Sequence, residues 1–225
     1  MKATGIVRRI DELGRVVIPK EIRKTLRIHE GENVEIFVDT SENIILKKFS
    51  VMKKLEDYVV TIPDFPEKGI MFRDVTSILE DKDGLKLAID SLQELVKDKE
   101  FDVIIGPESR GFIFGMPLAY NMHKSFVPVR KKGKLPCETV SVTYELEYGS
   151  AEIEIHKRSL KPGDKVIIVD DLMATGGTIE AITKLVESLG AEVVSVVCVM
   201  ELMGLNGRKK LQGYDVQSVI QYPGN

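Results

Sequence analysis

The chain has 225 residues, 43% of them hydrophobic and 30% charged, a balance typical of folded domains rather than disordered or fibrous chains. Its net charge is −3, its two cysteines (Cys137, Cys198) and three histidines (His29, His123, His156) are scattered, and no apolar run reaches the roughly 18 residues of a membrane span. Disulfide scaffolds, structural zinc modules and membrane spans are thereby excluded, and with no apolar leader after Met1 the expected location is the cytoplasm.

Charge is unevenly spread. Residues 1–51 hold ten Lys/Arg against eight Asp/Glu, whereas residues 52–225 hold 22 against 27. Within residues 1–28 eight basic groups face three acidic ones, which suits a polyanion as well as an ordinary solvated face. In this stretch Gly5-Ile6-Val7 and Arg15-Val16-Val17-Ile18 read as strands around the turn signal Asp11-Glu12-Leu13-Gly14. Pro19 ends the second strand and opens a short helix over Lys20–Leu26. Val34–Val38 then alternates, Asp39–Asn43 turns, and Ile44–Leu46 returns as a hairpin. So small a domain buries little apolar surface alone, and without metal or disulfide the expected stabiliser is a partner chain.

From Met52 onward helices and strands alternate. Asp83 is the expected cap of a helix carrying Leu85, Ala88, Ile89, Leu92, Leu95 and Val96 at helical spacing. Strands are predicted at 101–105, 126–129, 165–169 and 193–199, with helices at 111–123 and 177–189, the latter stopped by Gly190. This order predicts an α/β domain, a mainly parallel sheet covered on both faces, with ligands beyond the carboxyl ends of the strands. Two domains are expected, 1–51 and 52–225.

The strongest local signal runs from Val166 to Thr178. An apolar strand ends in Asp170-Asp171, crosses the small-residue loop Ala174-Thr175-Gly176 and enters a helix at Gly177-Thr178. Adjacent carboxylates at a strand end can accept hydrogen bonds from a vicinal diol such as ribose. Exposed backbone N–H groups, threonine hydroxyls and a helix N-terminus favour a phosphate. No lysine follows the glycines, so this is not a nucleoside-triphosphate P-loop, and no G-x-G-x-x-G fingerprint is present.

That string resembles the phosphoribosyl-diphosphate (PRPP) motif of the type I phosphoribosyltransferases. Phe65–Asp74, Glu108–Phe112, Arg130–Pro136, Tyr144–Gly149 and Leu205–Arg208 extend the resemblance to the adenine phosphoribosyltransferases. The resemblance implies the type I fold with a small hood, and the reaction adenine + PRPP → AMP + pyrophosphate. It implies that Asp170 and Asp171 hold the ribose hydroxyls and that Ala174, Thr175, Gly176, Gly177 and Thr178 cradle the 5′-phosphate. Ser109 and Arg110 fall in the pyrophosphate loop, while Arg130, Lys131 and Lys134 begin a lid that also reaches the diphosphate. Glu147, as general acid–base, and Tyr148 close over the reacting centre from that lid. Met71, Phe72 and Arg73 form the hood that reads adenine largely through backbone atoms, and Leu172 packs on the base. Arg110, Lys131 and a Mg²⁺ ion carried by PRPP, with no metal site of the protein's own, supply positive field for the leaving pyrophosphate.

Residues 4–48 resemble the AbrB/SpoVT-type DNA-binding domains, which fold as swapped-hairpin dimers. The matching DNA-contacting positions are Arg8, Arg15, Arg23 and Lys24, the last a lysine where arginine is common. Antitoxins that mainly bind a partner protein share this fold. The sequence therefore predicts an enzyme of purine salvage with an appended DNA-binding module, in a homodimer or a higher even oligomer. The alternative is a transcription regulator whose phosphoribosyltransferase domain senses PRPP or adenine. Retention of Glu147, Arg110 and both aspartates favours the enzyme.

Overall fold

A computed structural model describes residues 4–49, 53–145 and 149–224. The chain divides into two compact units, Met1–Met52 and Lys53–Asn225.

The first unit contains helix α1 (Lys20–Thr25) and an antiparallel hairpin of β1 (Val34–Val38) and β2 (Ile44–Lys48). The Asp39 carboxylate shapes the hairpin turn, accepting hydrogen bonds from the Ser41 and Asn43 backbone N–H groups at 2.9 and 3.0 Å. The turn at 11–14 also forms, with the Asp11 carboxylate accepting from the backbone of Leu13 and Arg15. The expected strands at 5–7 and 15–18 do not. Both segments lie outside any ladder, and Val7, Ile10, Leu13 and Val17 are largely exposed. Their composition suits a strand, but a ladder needs a partner, and none of the described residues of this unit supplies one. Ile28 is the single buried hydrophobic side chain among them.

The second unit opens with a hairpin of β3 (Val60–Pro63) and β4 (Met71–Asp74). Helix α2 (Lys82–Val96) follows, capped by Asp81 rather than Asp83. The Asp81 carboxylate accepts from the N–H groups of Asp83 and Gly84, which places Asp83 one step inside the first turn. Then come β5 (Val103–Pro107), α3 (Arg110–Met122), β6 (Ser125–Lys131), β7 (Thr139–Glu145), β8 (Ser150–His156), β9 (Lys165–Met173), α4 (Gly177–Ser188), β10 (Glu192–Leu202) and β11 (Val216–Tyr222).

One seven-stranded sheet results, in the order β11-β10-β9-β5-β6-β8-β7. The first five strands are mutually parallel, and β8 and β7 add an antiparallel edge. Burial on both faces explains the continuous apolar runs. In β9, Val166 and Ile168 pack with α4, while Ile167 and Val169 pack with α2 and α3. Chain direction matters more for function. From the adjacent pair β5 and β9 the chain winds outward on either side, to β6 through α3 and to β10 through α4. This is a topological switch point, and the loops leaving both strands face one crevice at their carboxyl ends.

Two glycines permit that crevice. A Cβ on Gly111, in the first turn of α3, would stand 2.5 Å from Pro107 Cδ and 3.0 Å from the Val169 carbonyl oxygen. One on Gly106 would meet the Gly111 carbonyl at 2.8 Å. Gly111→Ala is expected to destabilise the unit by about 1–3 kcal/mol through overpacking, read as a lower denaturant midpoint. An unchanged midpoint would mean that α3 shifts away from the sheet at no cost.

Candidate active site

The crevice is a cleft of about 300 Å³. Strand β9 runs unbroken through both carboxylates to Met173, longer than the predicted 165–169. Asp170 and Asp171 are both buried. Alternation along β9 sends Asp171 towards the α3 face, where Arg110 Nε lies 2.8 Å from its Oδ2. The angle does not make a hydrogen bond, so Asp171 Oδ2 is a buried oxygen without a hydrogen-bond partner among the described residues. The Asp171 backbone N–H donates to Asp170 Oδ1 at 2.8 Å. Burial, and then the charge of Asp171, push the Asp170 carboxyl well above the usual range.

Two helix N-termini open on the same cleft. Ser109 and Arg110 start α3, and Gly176 and Gly177 start α4; neither start is capped by a side chain of the described residues. Gly176 takes the left-handed conformation (φ 77°) as the N-cap of α4, which turns the loop sharply into the helix. Orphan N–H groups at an uncapped N-terminus, with the helix dipole behind them, make an anion site. The cleft thus offers two such sites across a carboxylate pair. The Glu108–Ser109 peptide is cis.

Of the residues expected from sequence, Ser109, Arg110, Lys131, Asp170, Asp171, Leu172 and Ala174–Thr178 line this cleft together. Arg130 and Lys134 do not. Arg130 and Lys131 fall on opposite faces of β6, and Arg130 Nε donates to Glu108 Oε2 at 2.8 Å instead. Lys134 sits in the turn after β6, where its backbone N–H and that of Leu135 donate to the buried Glu154. Met71, Phe72 and Arg73 lie on β4, apart from the cleft lining. Arg73 hydrogen-bonds Thr61 Oγ1, and its guanidinium lies 4.4 Å from the centre of the Tyr222 ring. Glu147 and Tyr148 lie outside the described residues.

Other residues in or beside the cleft went unassigned in the sequence. Tyr144 of β7 enters the cleft and its hydroxyl stands 3.2 Å from Thr178 Oγ1. Glu108 ties the α3 start to β6 by accepting from Arg130 and from the Lys131 N–H. Lys210 brings its ammonium to 3.5 Å from where a Cβ on Gly177 would stand. Tyr144 and Glu108 belong to motif strings visible in the sequence; Lys210 follows one, and only the fold brings it here.

In the first unit, Arg8 and Lys24 are exposed and Arg15 pairs with Asp11 at 2.8 Å. Arg23 is half-buried, and its Nε has no hydrogen-bond partner among the described residues.

Comparison with known proteins fits this geometry. The phosphoribosyl transferase domain family matches residues 74–222. The adenine phosphoribosyltransferase of Lachnoclostridium phytofermentans is 69% identical over 173 residues, covering 77% of this chain and 99% of that protein. The chain belongs to the adenine phosphoribosyltransferase family. Among solved structures, the adenine phosphoribosyltransferase of Thermoanaerobacter pseudethanolicus superposes with a TM-score of 0.72 at 52% identity, covering 75% of this chain and 98% of that one. That of Saccharomyces cerevisiae, complexed with adenine and an imino-altritol bisphosphate, gives 0.69 at 43% identity, over 73% and 96% of the two chains. Outside the phosphoribosyltransferase match, residues 7–54 fit the family of MazE bacterial antitoxins, described as antidote-toxin recognition. The chain is therefore a type I phosphoribosyltransferase behind an AbrB/MazE-type domain.

Proposed function

We propose that the chain transfers the phosphoribosyl group of PRPP to adenine, giving AMP and releasing pyrophosphate. The carrying observation is the carboxylate pair flanked by two uncapped helix N-termini in one cleft. PRPP has that shape: a ribose diol between a 5′-phosphate and a 1-diphosphate. Asp170 and Asp171 accept from the ribose hydroxyls, and the Ala174–Thr178 loop and α4 N-terminus receive the 5′-phosphate. Ser109, Arg110 and Lys131 hold the diphosphate, so that charge developing on the leaving group meets fixed positive groups. Arg130 and Lys134 start the lid, Tyr148 closes it, and Glu147 exchanges a proton with a ring nitrogen of adenine. Leu172 packs on the base, which the backbone of Met71–Arg73 reads. With adenine, PRPP and Mg²⁺ the protein is expected to form AMP and pyrophosphate one for one. A folded protein that forms no AMP would overturn the reading.

Mg²⁺ fits as an ion that arrives with PRPP. Among the described residues no three His, Cys, Asp or Glu side chains cluster to hold a metal. Asp170 and Asp171, the latter paired with Arg110, bring hard carboxylate oxygens to the cleft lining. When bound, the ion neutralises charge on the departing pyrophosphate. No helix among the described residues is long and apolar enough to cross a membrane, and both cysteines are free; we place the protein in the cytoplasm.

For the first unit we propose a swapped-hairpin homodimer that binds duplex DNA through Arg8, Arg15, Arg23 and Lys24. The unladdered apolar segments support a second copy, and the basic surplus supports the DNA. Affinity is expected to fall with salt, and each phosphate-contacting arginine removed should lower the log–log slope by about one. Binding indifferent to salt would favour a protein partner.

A further inference from the structure

Behind the phosphate loop runs a second stretch of backbone, Asn206–Leu211. The two touch directly. A Cβ on Gly207 would stand 2.4 Å from the Ala174 carbonyl oxygen, and one on Gly176 would stand 2.5 Å from the Gly207 carbonyl oxygen. No side chain fits at either position, so glycine at both lets the backbones meet.

The residue after Gly207 is held firmly. Arg208 donates from Nε and Nη2 to the two Glu201 carboxylate oxygens, at 2.7 Å each, and from Nη1 to the Val216 carbonyl at 2.8 Å. Ser218 Oγ donates to the same carboxylate at 2.7 Å. Burial pushes the Glu201 carboxyl up, but Arg208 and Ser218 outweigh it and hold it below the usual range. Glu201 lies in β10 opposite Met173, the last residue of β9 before the loop. The ion pair therefore joins the strand end that launches the phosphate loop to the segment that backs it.

An ion pair with one buried partner is weak evidence of stability, whereas a bidentate fork fixes geometry. Backbone N–H groups that recognise a phosphate need placement to about half an ångström. We infer that Glu201 and Arg208 are positioning residues of the 5′-phosphate site, acting through Gly207 on the Ala174–Gly176 loop. Neither touches the ligand. The inference rests on the reading of that loop as the 5′-phosphate cradle.

The test compares ligands that carry the 5′-phosphate with one that does not. Arg208→Lys keeps the charge and loses the fork. AMP affinity and the KM for PRPP are expected to worsen about tenfold, while pyrophosphate affinity and the KM for adenine at saturating PRPP stay unchanged. Gly207→Ala pushes on the loop directly and should give the same selective loss with the ion pair intact. Because the two share one route, the double variant should be no worse than the poorer single one. Equal weakening of AMP and pyrophosphate, unchanged AMP affinity in a folded Arg208→Lys, or losses that multiply would each overturn the proposal. Should Arg208→Lys fail to fold, Ser218→Ala removes one contact to Glu201 and must show the same selectivity in milder form. Thr178→Ala separates the two readings. If it leaves AMP affinity intact, the cradle is misplaced; if it weakens AMP and Arg208→Lys does not, only the positioning role fails.

Discussion

Asp170→Asn is expected to raise the melting temperature while cutting AMP formation by about a hundredfold or more. The wild-type carboxyl is buried beside a second carboxylate, and both effects push it above its ordinary 3.8. A raised acid binds more protons folded than unfolded across the interval between the two values. Stability therefore falls as pH climbs through that interval, and the whole penalty is present at higher pH. Asparagine has no charge to bury, and its Oδ1 still accepts the Asp171 N–H. The gain at pH 7, about 0.5–2 kcal/mol, should shrink towards pH 3, below the ordinary 3.8, where the unfolded carboxyl is mostly protonated as well. Melting curves at both pH values and an AMP assay check this. A variant less stable at pH 7, or fully active, would contradict it.

Base choice should show a larger effect. We expect kcat/KM for adenine to exceed that for hypoxanthine by about a thousandfold or more. The Arg73 side chain is occupied by Thr61 and Tyr222, so on the proposed reading the hood would meet the base through its backbone groups. A backbone carbonyl there would accept from adenine's amino group but face an oxygen in hypoxanthine, leaving two acceptors opposed. Paired steady-state kinetics with the two bases decide the matter. Comparable values would overturn the assignment of the hood and leave the PRPP cleft untouched. Glu147→Gln is expected to cost about a hundredfold in kcat with either base.

Some of this was legible because it is local. The run Val166–Thr178 contains a strand, a carboxylate pair, a turn and a helix start in thirteen consecutive residues, and the fold keeps them in that relation. Length was misjudged where polar residues stay in a ladder, as Asp170 and Asp171 do in β9. The partly polar strand β7 falls within the stretch that reads as lid, because Ser and Thr hide its alternation. Arg130 and Lys131 are chemically alike in sequence, and only the pleat decides which faces the cleft. The Glu201–Arg208–Gly207 arrangement was invisible, since its meaning lies in contact with a loop some thirty residues earlier. The segments at 5–7 and 15–18 show the opposite case: a strand-like sequence that forms no ladder within its own unit.

That last feature bears on mass action. With Ile28 as its one buried hydrophobic side chain among the described residues, the first unit gains about 1.5–3 kcal/mol from that burial. Ordering each backbone residue costs about 1–2 kcal/mol. If a second copy supplies the missing ladder, folding and association of this unit are one equilibrium. Its stability then has no value apart from a protein concentration, and each tenfold dilution removes about 1.4 kcal/mol from the dimer. A core such as the one formed by Ile104, Ile167, Leu92 and Phe114 is completed within a single chain. Within one chain, the stability of the first unit would then be set by protein concentration, a variable that does not enter the burial of the second unit's core.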